Sequence, residues 1–295
     1  MRSFLVLLLA GTLFQVRAQE PSTANRETLP ASTRALLDGV KGAQSKSVIK
    51  SVLMIVCGKD HMKGTGFALN KGGVITTNSH VVGTCQAGEL RGVSAVMNEQ
   101  VRFTRMQTDS NRDLALLCPE KPLPFSLELN GDANPTVGTE VETWGYPLRY
   151  QDPAPILSRG YIAGFTVGKD ANGQPKQPIV KHLIVNGAFN PGNSGGPLIG
   201  RVSGRVIGIV VEKWFLFSPQ IENVISGLEQ SKTYTIGGMQ TIDGSGKPLS
   251  NEQGVALALK QVYDTSQVMV GEAISVSELN AFIREKRKDL ACQPR

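Results

Sequence analysis

"PEKPLPFSLELNGDANPTVG", residues 119–138, sets Pro119, Pro122, Pro124 and Pro135 in a polar stretch and decides how the chain divides. Proline fixes φ and removes a backbone donor, so four in twenty residues disfavour a hydrogen-bonded ladder and extend the backbone. The stretch reads as a linker. Before it, from Ser47 onward, β-branched and apolar runs recur between turn residues: "SVLMIVC", "GTGFAL", "GVITT", "VSAVM", "QVRFTRM" and "DLALLC", six candidate strands. After it come "TEVETWG", "ILSRGYIAGFTVG", "IVKHLIV", "GPLIG", "GRVIGIVVEKW" and "GVALALK", six more. The predicted fold is all-β, with two six-stranded antiparallel β-barrels side by side, the first over residues 47–125 and the second over 126–275.

The flanks are read against that division. Within the second barrel, a Gly-rich polar stretch containing "IGGMQTIDGSGKPLS" predicts an inserted loop over about 215–253. Residues 276–295 predict a C-terminal helix and tail, because Ser275 with Glu278 fits a capping box and Leu279, Phe282, Ile283 and Leu290 form an apolar stripe. At the other end, Arg2, the apolar run Phe4–Phe14 and small residues near Ala18 have the layout of an export signal over residues 1–18. That run is short of the roughly 20 apolar residues that span a bilayer. The expected product is exported, periplasmic or secreted, without stable membrane insertion. Residues 19–46 predict a polar surface arm with a short helix near Arg34–Val40.

The formal net charge is +6, and the clearest basic run, "REKRKD" at 284–289, belongs to a solvated helix end. Nothing in it points to a nucleic-acid partner. Cys57, Cys85, Cys118 and Cys292 make an even count that in an exported chain permits two disulfides, with three connectivities open. No close Cys/His cluster has the spacing of a metal site, and neither a metal nor an organic cofactor is expected.

Chemistry concentrates in "NPGNSGGPLIG", residues 190–200, where Ser194 lies among glycines. As a plain turn residue it needs no partner. As a nucleophile it needs a base, usually oriented by a carboxylate. The sequence has three histidines. His80 follows an apolar strand in "GVITTNSHVV"; His61 in "GKDHMKG" reads as a solvated hairpin tip; His182 in "IVKHLIV" reads as a strand residue. Asp113, opening "DLALLC", is either a cap where a loop meets a strand or the carboxylate behind an imidazole. The G-x-S-x-G pattern occurs in α/β-hydrolases too, but there a histidine follows the serine, and none follows Ser194. The order His80, Asp113, Ser194 is the chymotrypsin-like one.

"GTGFALNKGGVITTNSHVV", "RDLALL", "GYP" and "NGAFNPGNSGGPLIG" resemble the corresponding segments of trypsin-like serine peptidases, most closely the HtrA/Deg-like branch, over roughly residues 47–260. The resemblance implies a chymotrypsin-like double barrel with the site in the cleft between barrels. It assigns His80 as general base, Asp113 as orienting carboxylate, Ser194 as acylated nucleophile, and the N–H groups of Gly192 and Ser194 as oxyanion donors. It pairs Cys57 with Cys85, leaving Cys118 for Cys292. It places Ala188 at the base of the specificity pocket with Phe189 lining it, Val210, Val211 and Glu212 on the edge that pairs with substrate, and Val255 and Ala256 at the back wall. The implied function is a serine endopeptidase acting on polypeptides, with small or medium apolar residues before the cleaved bond. The other reading is a catalytically silent peptide-binding protein on the same fold. Asn193 stands where zymogen-type relatives carry an aspartate, so activation by a new amino terminus is not expected. About 20 residues follow the second barrel, too few for the PDZ domain common in this branch.

Overall fold

The computed structural model describes residues 26–58, 62–69, 73–131, 135–148, 150, 152–170, 173–213, 226–228, 230, 241–242, 248–265, 270–286 and 292. The predicted export signal, His61, Leu290 and most of the 215–253 insertion lie outside them.

The first barrel is built from β1 (Val52–Cys57), β2 (Met62–Leu69), β3 (Val74–Thr77), β4 (Leu90–Ser94), β5 (Val101–Asp109) and β6 (Leu114–Pro119), closed in the order β1-β2-β3-β6-β5-β4. The second closes as β10-β11-β14-β9-β8-β7, from β7 (Glu140–Gly145), β8 (Ile156–Val167), β9 (Lys181–Gly187), β10 (Pro197–Gly200), β11 (Val206–Lys213) and β14 (Val270–Ser275). A short pair, β12 (Thr241–Ile242) and β13 (Pro248–Leu249), stands apart from both. Strand pairing within each barrel is antiparallel, as expected of the double-barrel fold.

Period-two alternation explains how one strand serves two cores. On β6, Ala115 and Leu117 face the interior of the first barrel with Leu53, Ile55 and Phe103. Leu114 and Leu116 face outward into a second cluster with Trp144, Tyr146, Ile209 and Ile274, which joins the barrels. The linker lies along that seam: Leu127 N–H donates to Ala68 O at 2.8 Å, and Asn130 N–H to Val206 O at 2.8 Å.

The seam is sealed by helices at both ends. At the N-terminal end, α1 (Ala31–Gly39) and α2 (Ala43–Ser51) precede β1, and Val48 and Ile49 are buried in the seam. Residues 26–46 hold α1, which overlaps the short helix expected near Arg34–Val40, and the first residues of α2; most are exposed or half-buried, and Ser32 Oγ donates to Asp152. At the other end, α5 (Val276–Lys286) buries Leu279 and Phe282 in the same cluster. At the start of this helix Ser277 N–H donates to Ser275 Oγ at 3.4 Å, and Glu278 accepts from Lys181 N–H at 3.2 Å and pairs with Arg112 at 3.4 Å.

Two further expectations are corrected. "VSAVM" contributes only its start to β4, which begins at Leu90. "GVALALK" belongs to α4 (Asn251–Thr265), and the sixth strand of the second barrel is β14. Ser250 and Gln253 form a reciprocal capping box, Gln253 N–H to Ser250 Oγ at 3.2 Å and Ser250 N–H to Gln253 Oε1 at 3.0 Å, and good helix formers follow. Disulfides join Cys57 to Cys85 and Cys118 to Cys292. Among the described residues no helix is long and apolar enough to cross a membrane.

Candidate active site

β3 is a fully buried strand that ends at Thr77, and α3 (Ser79–Val82) turns off it, so His80 is held at the cleft by the anchored neighbours Val81 and Val82. Asp113 immediately precedes β6 with φ +54°, a left-handed conformation that aspartate tolerates better than most residues. The surrounding bonds hold it there. Asn78 Nδ2 donates to Asp113 O at 2.9 Å, His80 N–H to Oδ1 at 2.9 Å, and His80 Nδ1 lies 2.7 Å from Oδ2. The carboxylate therefore grips both the backbone and the ring of His80. With Nδ1 carrying the proton toward Asp113, Nε2 is the nitrogen left to accept one.

Ser194 lies in the turn between β9 and β10, bolted to the first barrel through β2. Thr65 N–H donates to Ser194 O at 2.8 Å, and Thr65 Oγ1 donates to Gly192 O at 2.7 Å while accepting from Tyr146 N–H at 3.1 Å. A Cβ on Gly64 would lie 2.6 Å from the methyls of Val81 and 3.2 Å from Ser194 O, so the absent side chain lets the His80 turn and the Ser194 turn close on one point. Gly192 has φ +97° and a Cβ there would meet Tyr146 O and Leu148 N, the latter at 2.7 Å. Within the turn, Asn193 N–H goes to Asn190 O, Gly195 N–H to Val210 O and Gly196 N–H to Asn193 O. Among the described residues no backbone acceptor takes the N–H of Gly192 or Ser194.

The expected pocket residues divide. Ala188 is half-buried at the end of β9, and Phe189 is buried with its ring against Gly271 of β14, where a Cβ would lie 2.7 Å from the ring's Cγ. Val210 has both backbone groups committed, its N–H to Gly196 O and its O to Gly195 N–H. Val211 is the residue skipped where the β11–β14 register shifts, and it lines the cleft. Glu212 lies on the strand beyond it, paired with Glu272 in register. Val255 and Ala256 sit on α4 rather than on a barrel strand, Val255 exposed and Ala256 buried. Sequence reading missed Thr65, Asn78 and Gly271, residues whose roles depend on contacts from distant strands.

His80 and Asp113 open on a cavity of about 620 Å³ whose far side is formed by Thr166, Gly168, Lys169, Lys176, His182 and Glu272. His182 does lie along β9, but it is also paired: its Nδ1 is 2.5 Å from Glu272 Oε1. Among the described residues no three His, Cys, Asp or Glu side chains come together as a metal site.

The family model described as "Trypsin-like peptidase domain" matches residues 64–209. A "Probable periplasmic serine endoprotease DegP-like" of Pseudomonas fulva is 33% identical over 50% of this chain and 28% of its own length. "Protease Do-like 1, chloroplastic" of Arabidopsis thaliana is 33% identical over 50% of this chain and 32% of its own. An uncharacterised protein of Sinorhizobium fredii is 29% identical over 66% of this chain and 25% of its own. The chain thus spans about a quarter to a third of the length of these relatives. Among solved structures, an inactive form of the Rv3671c protease, from M. tuberculosis, superposes with a TM-score of 0.54 at 18% identity, covering 85% of this chain and 94% of that one.

Proposed function

The chain carries a trypsin-like peptidase domain with HtrA/Deg-like relatives, and we propose that it is an exported serine endopeptidase working through a His80–Asp113–Ser194 triad. The observation that carries this reading is the doubly bonded Asp113–His80 pair, at 2.9 and 2.7 Å, beside the strapped Ser194 turn. His80 Nε2 takes the proton from Ser194 Oγ as the oxygen attacks the peptide carbonyl, then returns it to the leaving amine. Water hydrolyses the acyl-enzyme with His80 again as base. The N–H groups of Gly192 and Ser194 stabilise the negative oxygen of each tetrahedral intermediate.

Selection before the cleaved bond is for small or medium apolar side chains. Ala188 supplies no carboxylate, and the Phe189 ring against Gly271 narrows the space. A buried Lys or Arg without a partner costs several kcal/mol there. Export rests on residues 1–18, in keeping with the periplasmic assignment in the DegP-like relatives' names.

Ser194→Ala should end peptide hydrolysis and labelling by an active-site phosphonate while leaving the melting curve in place. His80→Ala should be comparably severe and Asp113→Asn less so, because triad members act as a unit. Wild-type turnover by folded Ser194→Ala defeats the mechanism. Cleavage mainly after Lys or Arg in a peptide library defeats the pocket assignment.

A further inference from the structure

The cavity beside His80 and Asp113 contains a second histidine–carboxylate pair that the triad does not use. His182 on β9 and Glu272 on β14 are neighbours across the sheet, with side chains 11% and 17% exposed and Nδ1 to Oε1 at 2.5 Å. Strand pairing alone accounts for the contact between them. It leaves the other ring nitrogen unexplained.

His182 Nε2 faces Gly168, where a Cβ would lie 3.1 Å away. Gly168 is not in the left-handed region that requires glycine, so its missing side chain is a matter of space. Any substituent there would cap Nε2, and glycine leaves the nitrogen open to the cavity. Lys169 follows directly, and Lys176 reaches across to Asn111 O at 3.4 Å, so two ammonium groups lie on this wall. The acidic groups close by are engaged. Glu272 is held by His182, Asp113 by His80, Asp170 accepts from Gln174 N–H, and Glu278 is held by Arg112 and Lys181 N–H.

We propose that this cavity is a subsite for an acidic side chain of the polypeptide substrate, bound by His182 Nε2–H and attracted by Lys169 and Lys176. It rests on the peptidase reading, because only then does a chain at Ser194 run on past His80 into the cavity. With a carboxylate on the Nε2 side and Glu272 on the Nδ1 side, each ring nitrogen of His182 has an acceptor for an N–H. An aliphatic side chain would shut Nε2 away from water without a partner, and a basic one would meet two like charges. This selectivity acts within a few residues of the cleaved bond, at a different position from the apolar one.

The test uses the Ser194→Ala chain, so that binding is read without turnover. Fluorescent peptides with one apolar cleavage residue carry Glu or Gln in turn at each of the neighbouring positions on either side. One position should bind Glu about tenfold more tightly than Gln, the size of one charge-assisted hydrogen bond. His182→Gln, Gly168→Ala and the double variant Lys169→Ala/Lys176→Ala should each reduce that ratio, the double variant removing the part that added salt screens. Lys169, which is exposed, half-buried Lys176 and Gly168 give readouts if His182→Gln fails to fold. A ratio near one at all positions, no binding of either peptide, or a preference that survives both Gly168→Ala and the lysine double variant overturns the subsite. Phosphonate labelling of the unsubstituted chain is read separately: labelling with a ratio near one rejects the subsite alone, and a Glu preference without labelling rejects the hydrolytic mechanism alone.

Discussion

Asn193 buries its amide 1% exposed, and its Oδ1 has no hydrogen-bond partner among the described residues. It is packed against Gly145, where a Cβ would lie 2.7 Å from that oxygen. The site is closed to a carboxylate, since an ion here would exchange water for the glycine's backbone. Asn193→Asp should therefore lower stability by about 3 kcal/mol near neutral pH, and the loss should shrink in acid as the new carboxyl takes up a proton. A urea midpoint that is unchanged at pH 7 would mean that the pocket holds a cation. Gly192 shows the other limit on this turn. Its φ of +97° and the nearness of Leu148 N leave no room for a methyl, so of the two residues before Ser194 the first is restricted to glycine and the second is packed against Gly145.

Strands with continuous apolar runs were legible in the sequence: β1, β3 and β11 lie within the runs that announced them, and β6 and β9 overlap theirs. β14 was not, because Gly271 and Glu272 interrupt its pattern, one yielding space to the Phe189 ring and the other meeting His182. α4 was missed for the opposite reason: alternating Val, Ala and Leu imitate a strand, while the Ser250–Gln253 box that starts the helix lies just before the run. The motifs bearing His80, Asp113 and Ser194 were readable because they are local, whereas the Thr65 straps link residues 127 and 81 positions apart. α1 overlaps the short helix read near Arg34–Val40, whereas α2 was hidden by its polar composition, since few of its residues touch the core. Ile49 is one, with no exposed surface. Ile49→Ala should cost about 3 kcal/mol through the cavity it leaves. A melting temperature within a degree of the parent would return α2 to the status of a surface arm.

The two barrels meet where Lys63 of β2 donates to Pro147 O at 3.2 Å and Tyr150 O at 2.6 Å, and where Tyr146 is buried in the seam beneath them. These groups give the whole molecule an alkaline limit. Burial lowers the pKa of Lys63 from 10.5, so the unfolded chain holds that proton more firmly and stability rises with pH from the folded value up to 10.5. Burial raises Tyr146 from 10.0 and, with Asp152 nearby, also raises Tyr150. For the tyrosines the folded chain keeps a proton that the unfolded chain releases, so stability is flat below pH 10.0 and falls as the pH climbs toward the folded values. Tyr146 should dominate, because it has no exposed surface whereas Lys63 is only half-buried. Its hydroxyl also has no hydrogen-bond partner among the described residues, so the group costs stability even when neutral. Tyr146→Phe keeps the backbone N–H bond to Thr65 Oγ1 and removes both penalties. It should raise stability at pH 7 by about 1 kcal/mol and move alkaline unfolding upward, leaving Tyr150 to set a milder limit. Urea melts from pH 7 to 11 decide the point: a Phe variant that loses stability above pH 10 as steeply as its parent would show that the ionisation controlling the seam belongs to another residue.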